Sequence, residues 1–123
     1  MFIGCTYENI TLDFHELEAV FAQNKPDWKA ALENVKGVYL IVDKSNGIKY
    51  VGSAYGDAGI WSRWSAYMST GHGGNAELKK IIRDKGIKYA RKNFRLSLLE
   101  CRAMKTDDAT IIDRGKLLEG STY

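Results

Sequence analysis

Apolar and polar positions along this chain alternate between two periods, and the change of period marks out the elements. Residues 37–43, Gly-Val-Tyr-Leu-Ile-Val-Asp, are mostly β-branched or aromatic and read as a strand. Lys44-Ser45-Asn46-Gly47 follows, and Asn-Gly between two apolar runs signals a hairpin because both residues tolerate positive φ. Residues 48–52 form the return strand, 94–99 a third, and 7–12 a short one near the start. Elsewhere the period is helical. Phe14, Leu17, Val20 and Phe21 make an apolar stripe behind Asp13, with Glu16 placed for a capping box. Pro26 opens a second helix whose buried face is Trp28, Ala31, Leu32 and Val35. Trp61, Trp64 and Met68 mark the core face of a helix over residues 60–70. Asn75 caps a helix over 76–85, Gly86 ends it, and a last helix runs over 107–120 behind Thr106 or Asp107.

These elements predict a mixed α/β (α+β) fold: a small three-stranded antiparallel sheet flanked by helices, with an N-terminal strand/helix extension. The extension, 1–35, is too short to hold a core of its own, so it packs on a single globular unit spanning 36–123. The hairpin register follows from its turn. A two-residue Asn46-Gly47 loop sets Asp43 opposite Tyr50 and Ile41 opposite Gly52. Side chains alternate faces along a strand, so Tyr39, Ile41, Asp43 and Tyr50 share one face. A four-residue loop moves the partners but keeps that parity, whereas a one-residue slip separates the tyrosines. Arg63 and Tyr67, four apart on the following helix, bring a guanidinium and a third phenol towards them. A tyrosine pair on a strand face also serves as plain packing, and Arg63 as a solvated helix position.

Composition narrows the class further. Hydrophobic residues are 45% and charged residues 27%, the balance of a globular domain. The net charge of +3 is compatible with nucleic acid without requiring it. The cations cluster, however. Lys79, Lys80, Arg83, Lys85, Lys88, Arg91, Lys92 and Arg95 place eight positive charges within seventeen positions, on a helix and the loop expected after it. Such a run tracks a phosphate backbone with salt-sensitive affinity, or simply solvates a helix face. Gly71-His72-Gly73-Gly74 is a flexible loop whose glycines let backbone approach a phosphate and whose histidine either contacts the ligand, joins the site or lies exposed. Cys5 and Cys101 lack metal spacing and fit reduced cytoplasmic thiols. No segment is long and apolar enough to span a membrane, and no signal peptide is visible.

Taken with their spacing, Gly37-Val38-Tyr39, Tyr50-Val51-Gly52, Arg63 and Tyr67 resemble the GIY-YIG nuclease domain, over roughly Lys36 to the C-terminus. The resemblance implies hydrolysis of a DNA phosphodiester with one divalent ion, Mg2+ or similar. It makes Tyr39 a helper in deprotonating the attacking water, Tyr50 a phosphate or water ligand, and Arg63 the offset for charge on the phosphorane, with Tyr67 beside them. His72, Lys79, Lys80 and Arg83 are the candidate DNA contacts. The physics is coherent, because phosphoryl transfer is mostly positioning and charge stabilisation.

The resemblance also implies a metal-binding glutamate after Ile111-Ile112-Asp113-Arg114, and this chain has Gly115 there. Glycine inside a helix costs about 1 kcal/mol against alanine, so it is unexpected on local grounds as well. Glu119, one turn on and about 5–6 Å along the axis, is the remaining candidate ligand and is displaced from the expected place. The resemblance further implies a late asparagine beyond this helix, and with the sequence stopping at Tyr123 that element is expected to be absent. The chain is expected to be a nuclease scaffold with impaired catalysis: an inactive relative, an altered or shortened form of an active enzyme, or one in which Glu119 serves after rearrangement. The rival reading is a non-catalytic nucleic-acid-binding or interaction module on the same fold.

Overall fold

The structure, a computed structural model, describes residues 10–56 and 59–122, the last five of these by their backbone alone. In chain order the elements are β1 (Thr11–Asp13), α1 (Phe14–Ala22), α2 (Pro26–Glu33), β2 (Val35–Asp43), β3 (Lys49–Ala54), α3 (Gly59–Thr70), α4 (Ala76–Lys85), α5 (Ile87–Asn93), β4 (Phe94–Ala103) and α6 (Asp108–Thr122). The fold is mixed α/β, as expected, but the sheet has four antiparallel strands, in the order β1-β4-β2-β3. The fourth strand comes from the extension. Thr11, Leu12 and Asp13 pair with Ser97, Leu96 and Arg95 at the free edge of β4. Residues 7–9 of the expected strand lie outside the described residues.

Local signals place most helix ends. The backbone N–H of Asp13 donates to Glu16 at 2.9 Å, the reaching-back half of a capping box. Pro26 occupies the first turn of α2, and Asn75 accepts from the Leu78 N–H at 3.0 Å to cap α4. Two expectations change. Val35, assigned to the second helix, opens β2 and pairs with Ala103. The basic stretch after Gly86 is a helix, α5, and not a loop.

The hairpin adopts the longer of its two possible loops. Asp43 N–H donates to the Ile48 carbonyl at 2.9 Å and Gly47 N–H to the Asp43 carbonyl at 2.7 Å, so residues 44–47 form the turn and Ile41 faces Tyr50. The Asp43 carboxylate accounts for the choice. It accepts from the Ser45 N–H at 2.9 Å and the Ser45 hydroxyl at 2.6 Å, folding the chain over before Asn46 is reached. Parity is kept, and Tyr39 and Tyr50 share a face.

The two faces of the sheet are covered differently. On the Tyr39 face, Phe14, Leu17 and Val20 of α1, Leu32 of α2 and Ile60, Trp64 and Tyr67 of α3 close one continuous core with Tyr39, Ile41, Phe94, Leu96 and Leu98. Trp61 adds a stack on Phe21, ring centroids 4.0 Å apart. The opposite parity carries Val38 and Ser53, which pair with each other; α6 packs against β2 and β3, and the Ser53 hydroxyl donates to the Ile111 carbonyl of α6. Cys101, read as a reduced thiol, is buried and disulfide-bonded, so cysteine usage gives no argument for a reducing compartment; Cys5 lies outside the described residues. Among the described residues no helix is long and apolar enough to cross a membrane.

Candidate functional site

Tyr39 sits where the β2–β4 register slips. Val38 pairs with Glu100 and Tyr39 with Leu98, leaving Leu99 as the extra residue of a bulge. Bulges re-aim neighbouring side chains and recur beside functional sites. The Tyr39 ring crosses over β3 at Gly52, its cross-strand partner, so closely that a Cβ at position 52 would strike the ring. That close approach is a physical reason for glycine after Tyr50-Val51.

Beyond Gly52 the Tyr39 hydroxyl reaches α3. It lies 3.0 Å from the Tyr67 hydroxyl and accepts from Arg63 Nε at 3.1 Å. The Tyr67 ring stands edge-on to Tyr39, centroids 5.7 Å apart, and the Arg63 guanidinium carbon is 5.8 Å from the Tyr67 centroid, within cation–π range. The helical spacing of Arg63 and Tyr67 therefore brings both onto one strand tyrosine. Tyr50 shares the face but stands diagonally from Tyr39, opposite Ile41, and packs half-buried against the core.

Burial divides these groups. Tyr39 is 0% exposed and Tyr67 2%, while Arg63 is half-buried. Burial pushes the Tyr39 phenol above its ordinary pKa, and its hydrogen bond to Tyr67 and the Arg63 charge offset this only in part. Burial likewise pushes Tyr67 far up, helped by its neighbour Tyr39. Both phenols are protonated at neutral pH. The water-deprotonating role that the resemblance implies for Tyr39 is thus disfavoured twice, by a raised pKa and by enclosure. What Tyr39 does in this arrangement is hold the Arg63 side chain in place.

Arg63 opens onto a pocket of about 250 Å³ lined by Ser53, Tyr55, Ser62, Arg63 and Ala66. One Arg63 N–H is used by Tyr39, and a guanidinium carries five. A cation among hydroxyl-bearing residues is suited to an anion with several acceptor oxygens, such as a phosphate. Sequence reasoning missed Tyr55 and Ser62. Tyr55 follows the Tyr50-Val51-Gly52 run by three positions, and Ser62 precedes Arg63, but neither has a periodicity that separates it from an ordinary surface residue. Tyr39, Tyr50 and Tyr67 do not line the pocket, so Arg63 alone of the four expected catalytic residues does.

Gly115 is buried on α6, and a Cβ there would run into the Ser53 hydroxyl. Position 115 therefore abuts a residue that lines the Arg63 pocket. The obstacle is a rotatable hydroxyl whose one bond, to the Ile111 carbonyl, is long at 3.4 Å. The side chain of Glu119 lies outside the described residues. Among the described residues no three His, Cys, Asp or Glu side chains gather, and the pocket lining contains no carboxylate. Magnesium needs oxygen ligands that include one or two carboxylates, so the described residues do not by themselves fit a resident ion.

The remaining candidates lie apart from the pocket lining. His72 is half-buried, and its Nδ1 accepts from the Gly74 N–H at 2.9 Å, which leaves Nε2 to carry the proton of the neutral ring. Lys79, Lys80 and Arg83 are on α4; both lysines are exposed, and Arg83 pairs with Asp84 at 3.4 Å. Of the same basic run, Arg91 pairs with Glu18 at 3.0 Å and Arg95 with Asp13 at 3.1 Å. Among the described residues no carboxylate pairs with Lys79, Lys80, Lys88 or Lys92. Glu100 lies within β4 and accepts from Arg102 and, through both oxygens, from Arg114.

No family model, curated protein or solved structure matches this chain.

Proposed function

We propose that the chain binds DNA phosphodiesters on a GIY-YIG-like nuclease scaffold, with hydrolysis impaired because no carboxylate stands at Gly115. One observation carries this reading: Arg63 is fixed by the buried Tyr39 hydroxyl and lines a pocket of hydroxyl-bearing residues. A guanidinium oriented in advance loses little freedom on meeting a phosphate, and its hydrogen bonds to an anion are charge-assisted. Tyr39 and Tyr67 act as hydrogen-bonding and packing groups that orient the cation. Lys79 and Lys80 supply long-range attraction to the backbone, and nothing in their arrangement reads base edges.

The test is a gel shift in chelator beside a plasmid-nicking assay in magnesium. DNA binding in chelator is expected, weakened about tenfold or more by Arg63→Ala, the scale of a lost charge-assisted bond. Little nicking is expected from the natural chain, and magnesium-dependent nicking from Gly115→Glu. Absence of DNA binding, or binding indifferent to Arg63, would overturn the reading. Efficient nicking by the natural chain that vanishes in Arg63→Ala would instead establish an active nuclease whose carboxylate comes from elsewhere.

A further inference from the structure

We infer that Tyr55 is a stacking platform for an unpaired base, so that the Arg63 pocket takes single-stranded DNA in preference to an intact duplex. This rests on the phosphate-binding reading above and names the substrate class of the same site.

Tyr55 is 49% exposed, although most aromatic rings near it are packed away: Tyr39, Trp64 and Tyr67 are each at most 2% exposed. It lines the same pocket as Arg63. A ring turned to solvent and a guanidinium thus share one small concavity. The backbone on either side of Tyr55 is also anchored. Ala54 before it is fully buried at the end of β3. Gly56 after it donates its N–H to Asp108 at 3.3 Å, and Asp108 is paired with Lys36 at 2.7 Å. Lys36 is 8% exposed and donates to the Thr106 carbonyl at 2.7 Å, so this anchor reaches into the body of the fold.

Size assigns the parts of the ligand. At about 250 Å³ the pocket falls below the roughly 300–1,000 Å³ of sites that enclose a whole small molecule. A phosphate and part of its sugar fit inside, and the attached base must lie outside, against the rim. In duplex DNA the faces of the bases are occupied by their neighbours. In a single strand each base has a free π-face, and an aromatic side chain beside a cation captures it with little regard to sequence.

The test is fluorescence anisotropy in chelator, using the full chain and three labelled probes: a single strand of about 12 nucleotides, within the span such sites cover, the matching duplex, and an oligomer of abasic sugar-phosphates. The natural chain is expected to prefer the single strand to the duplex. Tyr55→Ala is expected to weaken single-strand binding about tenfold, Tyr55→Phe to weaken it less, and binding of the abasic oligomer to fall much less than single-strand binding in Tyr55→Ala. Tyr55→Leu, apolar but without a π-face, repeats the test should alanine disturb the loop, with circular dichroism as the check on folding. Unchanged single-strand binding in Tyr55→Ala and Tyr55→Leu, with Arg63→Ala still weakening it, overturns the stacking role and leaves the phosphate reading standing. A duplex bound tighter than the single strand also overturns it. Indifference to both Tyr55 and Arg63 removes both readings together.

Discussion

Two regions of this molecule present positive charge, and they are built in opposite ways. Arg63 is half-buried, its Nε bonded to a fully buried phenol that is itself bonded to a second. Lys79, Lys80, Lys88 and Lys92 stand exposed on α4 and α5, with no carboxylate pairing to them among the described residues. The first region holds one donor at a fixed place. The second holds several charges at no fixed place. Fixed donors give geometry and short-range affinity, whereas solvated lysines give long-range attraction that salt screens within about 10 Å. The charge run, which dominates the sequence, is the less specific of the two.

The largest expected effect separates the regions by stability. Tyr39→Ala removes a ring packed on Trp64, Tyr67 and Gly52 and should cost about 3–5 kcal/mol in urea unfolding. Replacing Lys79 and Lys80 together should leave the unfolding midpoint unchanged. A comparable destabilisation from the lysine pair would break the comparison. Next is Tyr39→Phe, which keeps the ring but strips Arg63 and Tyr67 of a buried partner; about 1–3 kcal/mol of stability is expected to go, together with part of the DNA affinity. Salt dependence sharpens the contrast from the other side. On the proposed DNA-binding reading, Lys79→Ala or Lys80→Ala each removes one backbone-neutralising cation and should flatten the plot of log affinity against log salt by about 0.7–0.9.

Acid provides a further separation. The Asp43 carboxyl is fully buried, and burial raises its pKa, but bonds from Ser45 and Tyr89 outweigh burial and hold it below the usual carboxylate value. Its folded pKa is lower than its unfolded one, so its contribution is complete above about pH 4 and drains away as pH falls through the lowered value. Asp13, bonded to Arg95 and Lys44, is lowered in the same direction. Stability measured across the acid range, from about pH 5 down to about pH 2, should therefore fall less steeply in Asp43→Asn. The smallest expected effect is at Gly115→Ala. Helix propensity favours it by about 1 kcal/mol, and rotation of the Ser53 hydroxyl takes part of that back. A destabilisation well beyond about 1 kcal/mol, the scale of the propensity gain, would mean that α6 cannot accept a side chain there, and with it that Gly115→Glu is no fair test of a missing ligand.

Local patterns made much of the scaffold legible. Asp13 with Glu16, Pro26, Asn75 and Gly86 mark ends through hydrogen bonds or dihedrals that a few adjacent residues decide. The shared face of Tyr39 and Tyr50 follows from parity, which both hairpin loops preserve. The choice between those loops did not follow, because it turns on the Asp43 carboxylate capturing Ser45. Nor did the place of β1 in the sheet: a short strand near the start was legible, but its three paired residues gain their partner only from a β4 edge far along the chain.

For the candidate site, residue types and spacing brought Tyr39, Arg63 and Tyr67 forward, because a strand period and a helix period each operate over a few neighbours. Tertiary packing alone decided that the phenols are enclosed, that Arg63 opens onto the pocket, and that Tyr55 and Ser62 line it beside Ser53. Periodicity states which side of an element a residue occupies. How deep that side lies, and what stands across from it, depends on how α1, α3 and α6 close over the sheet, and so on contacts between residues far apart in the chain.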